Sequence, residues 1–106
     1  MTDKDRTDIQ QPEIDKLIHE PARLKILAQL YVVESADFLF LMRQTGLTQG
    51  NVSGHLSKLE EAEFVKIEKG FIGKRPQTII ALSKKGREKF RNYITNMRKI
   101  LDELDV

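Results

Sequence analysis

The sequence predicts an α+β fold, mostly α, with a three-helix core, a β-hairpin and a long C-terminal helix. Three observations predict it. Apolar residues recur at helical spacing in Leu24, Leu27 and Leu30, and again in Val52, Leu56 and Leu59. Between these stripes, Thr45-Gly46-Leu47-Thr48 ends one helix and opens the next. Beyond them, two short apolar runs flank the glycine-containing, basic loop Gly70-Phe71-Ile72-Gly73-Lys74-Arg75-Pro76.

Residues 1–11 are polar and without periodicity and read as a flexible tail. Ile14, Leu17 and Ile18 predict a short helix, set apart by Pro21. Pro21 suits the first turn of the helix that carries Leu24, Ile26, Leu27 and Leu30, because its missing N–H costs nothing there. Ser35-Ala36-Asp37 punctuates the chain, and Asp37 caps a second helix to about Thr45, with Phe38, Leu41 and Met42 on its buried side. Gly46 supplies the left-handed residue that stops this helix, Leu47 points into a core, and Thr48 caps a third helix over Gln49–Glu63. A helix end and a helix start so close together define a tight helix-turn-helix. Phe64–Lys69 alternates with period two and predicts a strand, and Gln77–Leu82 predicts its hairpin partner. Ser83 caps the last helix, which runs to about Leu104. Its residues Phe90, Ile94, Met97, Leu101 and Leu104 form an a/d seam widened by Tyr93 and Ile100. Residues 12–83 thus read as a winged helix-turn-helix domain and residues 84–106 as a C-terminal dimerisation helix.

The chain has 106 residues and a formal net charge of +2, which conceals an asymmetry. Residues 1–42 carry a net −3, residues 43–91 a net +6 and residues 92–106 a net −1. A basic middle between acidic ends suits a polyanionic partner. No apolar run approaches the ~20 residues needed to span a bilayer, and the N-terminal residues lack the apolar core of a secretory signal. Cysteine is absent, so there is neither a disulfide framework nor a thiolate metal site. These features fit a cytoplasmic protein without a membrane, metal or cofactor.

The third helix carries the functional signal. Its polar face presents Gln49, Asn51, Ser53, Gly54, His55, Ser57 and Lys58, with Thr48 at its start, and it holds no acid before Glu60. A solubilising face normally carries long Glu and Lys chains. This one instead offers donors and acceptors that match base edges and phosphates of double-stranded DNA. Lys74 and Arg75 form a basic wing, and Lys84, Lys85 and Arg87 stand ready for phosphates.

His19-Glu20-Pro21-Ala22-Arg23-Leu24-Lys25-Ile26-Leu27 resembles the opening helix of ArsR-type repressors. Leu47-Thr48-Gln49-Gly50-Asn51-Val52-Ser53-Gly54-His55-Leu56-Ser57-Lys58-Leu59-Glu60, followed by Phe64-Val65, is similar to the recognition helix of ArsR and MarR winged-helix regulators. The resemblance covers roughly residues 14–104. It implies a homodimeric transcriptional regulator reading a pseudo-palindromic site, with Gln49, Asn51, Ser53, Gly54, His55 and Lys58 facing the groove and Lys74 and Arg75 in the wing. The Cys and His clusters of ArsR-type metal sensors are missing.

Several residues admit a second reading. His55 either donates to DNA or lies half-buried against the neighbouring helix, and the surrounding pattern favours DNA. His19 reads as a surface residue. Gly50 and Gly54 each cost about 1 kcal/mol in a helix relative to Ala, and close approach to DNA or close helix packing explains them equally. Phe71 and Ile72 are expected to pack back on the strands. The seam Phe90, Ile94, Met97, Leu101 and Leu104 is expected to pair with a second copy, since so short a domain has little core left to cover it.

No nucleophile elbow, HExxH or phosphate-cradling loop is present, so the chain reads as non-enzymatic. Two alternatives share the fold: a protein–protein adaptor, which calls for exposed apolar anchors on the third helix, and a ligand-responsive regulator with a pocket near the dimer helices.

Overall fold

The computed structural model describes residues 11–105. The tail expected over residues 1–11 lies, apart from Gln11, outside them. Gln11 itself donates from its amide to the Glu103 carboxylate at 3.3 Å.

The elements are α1 (Pro21–Val33), β1 (Ser35–Asp37), α2 (Phe38–Thr45), α3 (Gln49–Glu61), β2 (Val65–Ile72), β3 (Arg75–Leu82) and α4 (Lys84–Glu103). The strands form an antiparallel sheet in the order β1-β3-β2. The α+β, mainly helical architecture with a winged hairpin and a long last helix is the expected one.

Each helix begins where a side chain satisfies its free N–H groups. Glu20 accepts from Arg23 N at 2.8 Å, Asp37 from Phe40 N at 2.7 Å, Thr48 from Asn51 N at 3.2 Å and Ser83 from Gly86 N at 2.9 Å. Gly46 closes α2 in the left-handed region at φ 72°, where an L side chain would be strained. Thr45 is buried beside it. Its Oγ1 donates to Leu41 O at 2.6 Å and accepts from Leu47 N at 3.3 Å, which fixes the turn into α3.

The core gathers Ile18, Ile26, Leu27 and Leu30 with Leu41 of α2, Val52, Leu56 and Leu59 of α3, and Phe64, Val65 and Ile80 at the base of the hairpin. From α4, Phe90 and Tyr93 complete it. Tyr31 meets Phe90 at 5.4 Å between ring centroids, and Phe90 stacks on Tyr93 at 6.0 Å.

Four expectations are corrected. Residues 16–18 form a turn and no helix. Asp15 Oδ1 accepts from Leu17 N at 2.9 Å and opens a single turn, which goes no further because Pro21 starts α1 two residues after it; Ile18 on that turn is buried in the core. Ser35-Ala36-Asp37 is a strand as well as punctuation, paired with Ile79–Ala81 of β3. The loop Gly70–Pro76 is almost wholly strand, since β2 and β3 continue to a two-residue turn at Gly73-Lys74. Gly73 takes φ 61°, which suits a tight hairpin whose twist matches its strands. Finally, Phe90 does not belong to an outward seam. It is buried in the chain's own core, because α4 turns its first half onto α1.

The rest of the seam divides. Ile94 and Met97 are half-buried against the core, whereas Leu101 and Leu104 are 46% and 62% exposed. Two contacts fix the start of α4. Ser83 N donates to Phe64 O at 2.9 Å, and a Cβ on Gly86 would fall 2.1 Å from that same carbonyl oxygen. Only glycine lets α4 leave the sheet at this angle. Among the described residues, no helix is long and apolar enough to cross a membrane.

Candidate nucleic-acid interface

The face of α3 opposite Val52, Leu56 and Leu59 lies open to solvent. Gln49, Gly50, Asn51, Ser53, Gly54, Ser57 and Lys58 are all exposed, as is Thr48 at the cap. Ser57 Oγ donates to Ser53 O at 3.1 Å, so this hydroxyl folds back on its own helix. A Cβ added at Gly50 or Gly54 would meet nothing within 4 Å. Close helix packing therefore does not account for these glycines.

His55 is the exception on this face. Its side chain is 21% exposed. The Arg23 guanidinium lies 3.1 Å from its Nδ1 and the Glu20 carboxylate 3.9 Å from the same atom. Guanidinium only donates, so Nδ1 accepts and the ring's proton sits on Nε2. Arg23 Nε also donates to Leu17 O, so one side chain ties the segment before α1 to the middle of α3. The half-buried reading describes this ring. The backbone N–H of Arg23 holds the Glu20 carboxyl below the ordinary glutamate range, outweighing desolvation, and the Arg23 charge acts in the same direction.

The wing stands across from α3. Beyond Glu68 no third strand among the described residues flanks the hairpin, because β1 reaches only Ile79–Ala81. Lys69–Ile72 and Arg75–Thr78 form a two-stranded arm projecting roughly 13 Å. Lys74 sits in the turn and Arg75 directly follows it, both exposed. Between arm and helix runs an open groove of about 1040 Å³, lined by Gln49, Ser53 and Ser57 on one side and Lys69, Pro76 and Thr78 on the other. Phe71 and Ile72 do not pack back on the strands. They are 73% and 60% exposed, since the arm leaves the body before reaching them and no helix among the described residues lies beneath.

The basic start of α4 is partly committed elsewhere. Lys85 lies 3.6 Å from Glu63, and Arg87 sits 4.9 Å above the Tyr31 ring. His19 is exposed as expected, yet its Nδ1 meets the Tyr93 hydroxyl at 2.7 Å. Burial pushes the Tyr93 phenol up. Sequence reading missed Arg23, Lys69 and Thr78. The pairing of Lys69 with Thr78 is legible only once the hairpin register is known.

Residues 22–101 match the family described as winged helix DNA-binding domain. An uncharacterized protein of Methanocaldococcus jannaschii is 40% identical over 90 residues, covering 85% of this chain and 98% of that protein. A solved transcriptional regulator homologue protein from Pyrococcus horikoshii OT3 has a TM-score of 0.80 at 29% identity, over 85% of this chain and 89% of that one. A MarR family transcriptional regulator from Silicibacter pomeroyi shares the fold at 22% identity with a TM-score of 0.65, over 83% of this chain and 58% of that one. The expected likeness to MarR-type regulators is met at the level of the fold.

Proposed function

This chain belongs to the winged helix DNA-binding domain family, and from that premise we propose that it is a homodimeric transcriptional regulator with α3 in the major groove and the arm on the flanking DNA. One observation carries the reading. The exposed face of α3 is short, polar and free of acid up to Glu60, and it looks across a groove to a basic arm. A helix fits the major groove, whose base edges suit Gln49 and Asn51, while the groove beside it offers room for a sugar–phosphate ridge. Lys58, Lys69, Lys74 and Arg75 supply the cations that displace counterions from phosphates. The absence of large apolar side chains among the exposed residues of α3 favours DNA over an adaptor role.

The second copy is inferred from the end of α4. Leu101 and Leu104 are exposed there and continue the line of Ile94 and Met97. Two such helices pairing would cover them and present two copies of α3 to one face of a duplex, about 34 Å apart.

A salt titration of duplex binding by fluorescence anisotropy tests the reading. Affinity should fall steeply and linearly on a log–log plot as salt rises. Binding that is undetectable at low salt, or indifferent to salt, would sink it.

A further inference from the structure

The arm carries large apolar side chains that the fold leaves in solvent. Leaving a phenylalanine exposed forgoes about 1.5–3 kcal/mol of burial, and nothing among the described residues covers Phe71. Its cross-strand partner is Pro76, so strand alternation puts the two on one face of the arm. That face carries Val65 and Ile80 into the core at the hairpin's base, and Lys69 opposite Thr78 midway. Lys69, Thr78 and Pro76 line the groove beside α3. Phe71 stands beside Pro76 at the arm's end, just outside the groove, whose lining there is Ile72, Arg75 and Pro76.

We propose that Phe71, backed by Pro76, is an apolar wedge that enters the minor groove beside the site faced by α3 and selects flanking base steps by their deformability. The proposal rests on the reading that α3 faces the major groove. Charge identifies the occupant. Lys69, Lys74 and Arg75 surround the wedge, and no acidic residue lies between Lys69 and Thr78. A duplex offers phosphates to those cations and, between them, sugars and base edges to a phenyl ring. A second copy of the arm would instead bring like charges together around the same ring.

Apolar wedges of this kind partly unstack a base step and kink the duplex by about 20–90°. Pyrimidine–purine steps yield most readily. The wedge thus contributes specificity that needs no hydrogen bond to a base, complementing the polar face of α3.

The test uses the full chain and end-labelled duplexes that it selects from a randomised pool. Phe71→Ala should keep the wild-type melting curve and the slope of affinity against salt. It should bind the selected duplex about tenfold more weakly, bend it less by end-to-end energy transfer, and lose preference at the flanking step. Phe71→Leu should retain most of the affinity and bend. Unchanged affinity and bend in Phe71→Ala would overturn the wedge. So would a loss that tracks a change of oligomeric state in sedimentation, which would mark Phe71 as a contact between copies. A neutral Phe71→Ala in a chain that binds duplex with salt-dependent affinity overturns the wedge alone, whereas a wild-type chain that binds no duplex overturns the underlying reading with it.

Discussion

The guanidinium of Arg23, in the first turn of α1, lies 3.1 Å from Nδ1 of His55, in the middle of α3. This contact spans 32 positions in sequence and sets how α3 is held against the rest of the domain. Arg23→Ala should lower stability by about 1–2 kcal/mol, because it removes charge-assisted hydrogen bonds to His55 and to Leu17 O. Arg23→Lys should restore little of this, since one ammonium does not serve both directions. Urea denaturation of the three chains measures it, and full rescue by Lys would refute the bonding pattern.

Glu20 makes the same junction sensitive to acid. Its carboxyl titrates lower in the folded chain than in the unfolded one, because it accepts from Arg23 N. A depressed carboxylate contributes stability that is fully present above the unfolded value and is lost as pH falls through the folded value. The melting temperatures of the wild type and Glu20→Gln should therefore differ at neutral pH and converge on acidification. A constant gap across the acid range would contradict the assignment.

Two glycines should respond in opposite ways to the same substitution. Gly86→Ala places a methyl against Phe64 O and should cost about 3 kcal/mol or more. Gly54→Ala meets open space and should gain about 1 kcal/mol of helix stability. The added methyl would stand between α3 and the duplex, so Gly54→Ala should bind DNA more weakly while melting higher. Thermal melts paired with anisotropy separate the two effects.

The arm and α3 should divide the labour of binding. Lys74→Ala with Arg75→Ala should weaken binding to all sequences alike and reduce the salt slope by about 2. Asn51→Ala should instead change which sequences are selected from a randomised pool. Equal loss of preference in both variants would refute this division.

The two ends of α4 should also part company. Leu101→Ser with Leu104→Ser should leave the fold intact and shift sedimentation toward a monomer, as the proposed pairing requires. Phe90→Ala should unfold the domain more easily, by about 3–5 kcal/mol, since it opens a cavity beside Tyr31 and Tyr93. A monomeric wild type would remove the dimer from the proposal.

The candidate interface was legible in part. The polar face of α3 and the basic tip of the wing depend on residue type and helical or hairpin spacing, both visible in the chain. The groove between them, and the exposure of Phe71 and Ile72, were not. These depend on how far the hairpin outruns β1, a register that no local pattern encodes.

Local sequence specified helices α1 to α4 and where each of them starts. Asp37, Thr48 and Ser83 cap helices with their own side chains, Gly46 supplies the left-handed stop, and the apolar stripes of α1 and α3 assign their buried faces. These are interactions within a few residues, so composition and spacing suffice to specify them. What those elements meet was settled by assembly. It paired Ser35–Asp37 with β3, drew His55 onto Arg23, turned Phe90 inward to Tyr31 and required Gly86 beneath Phe64. Each of these joins residues far apart in the chain, and packing and hydrogen bonding settle them only once all the elements have assembled around one core.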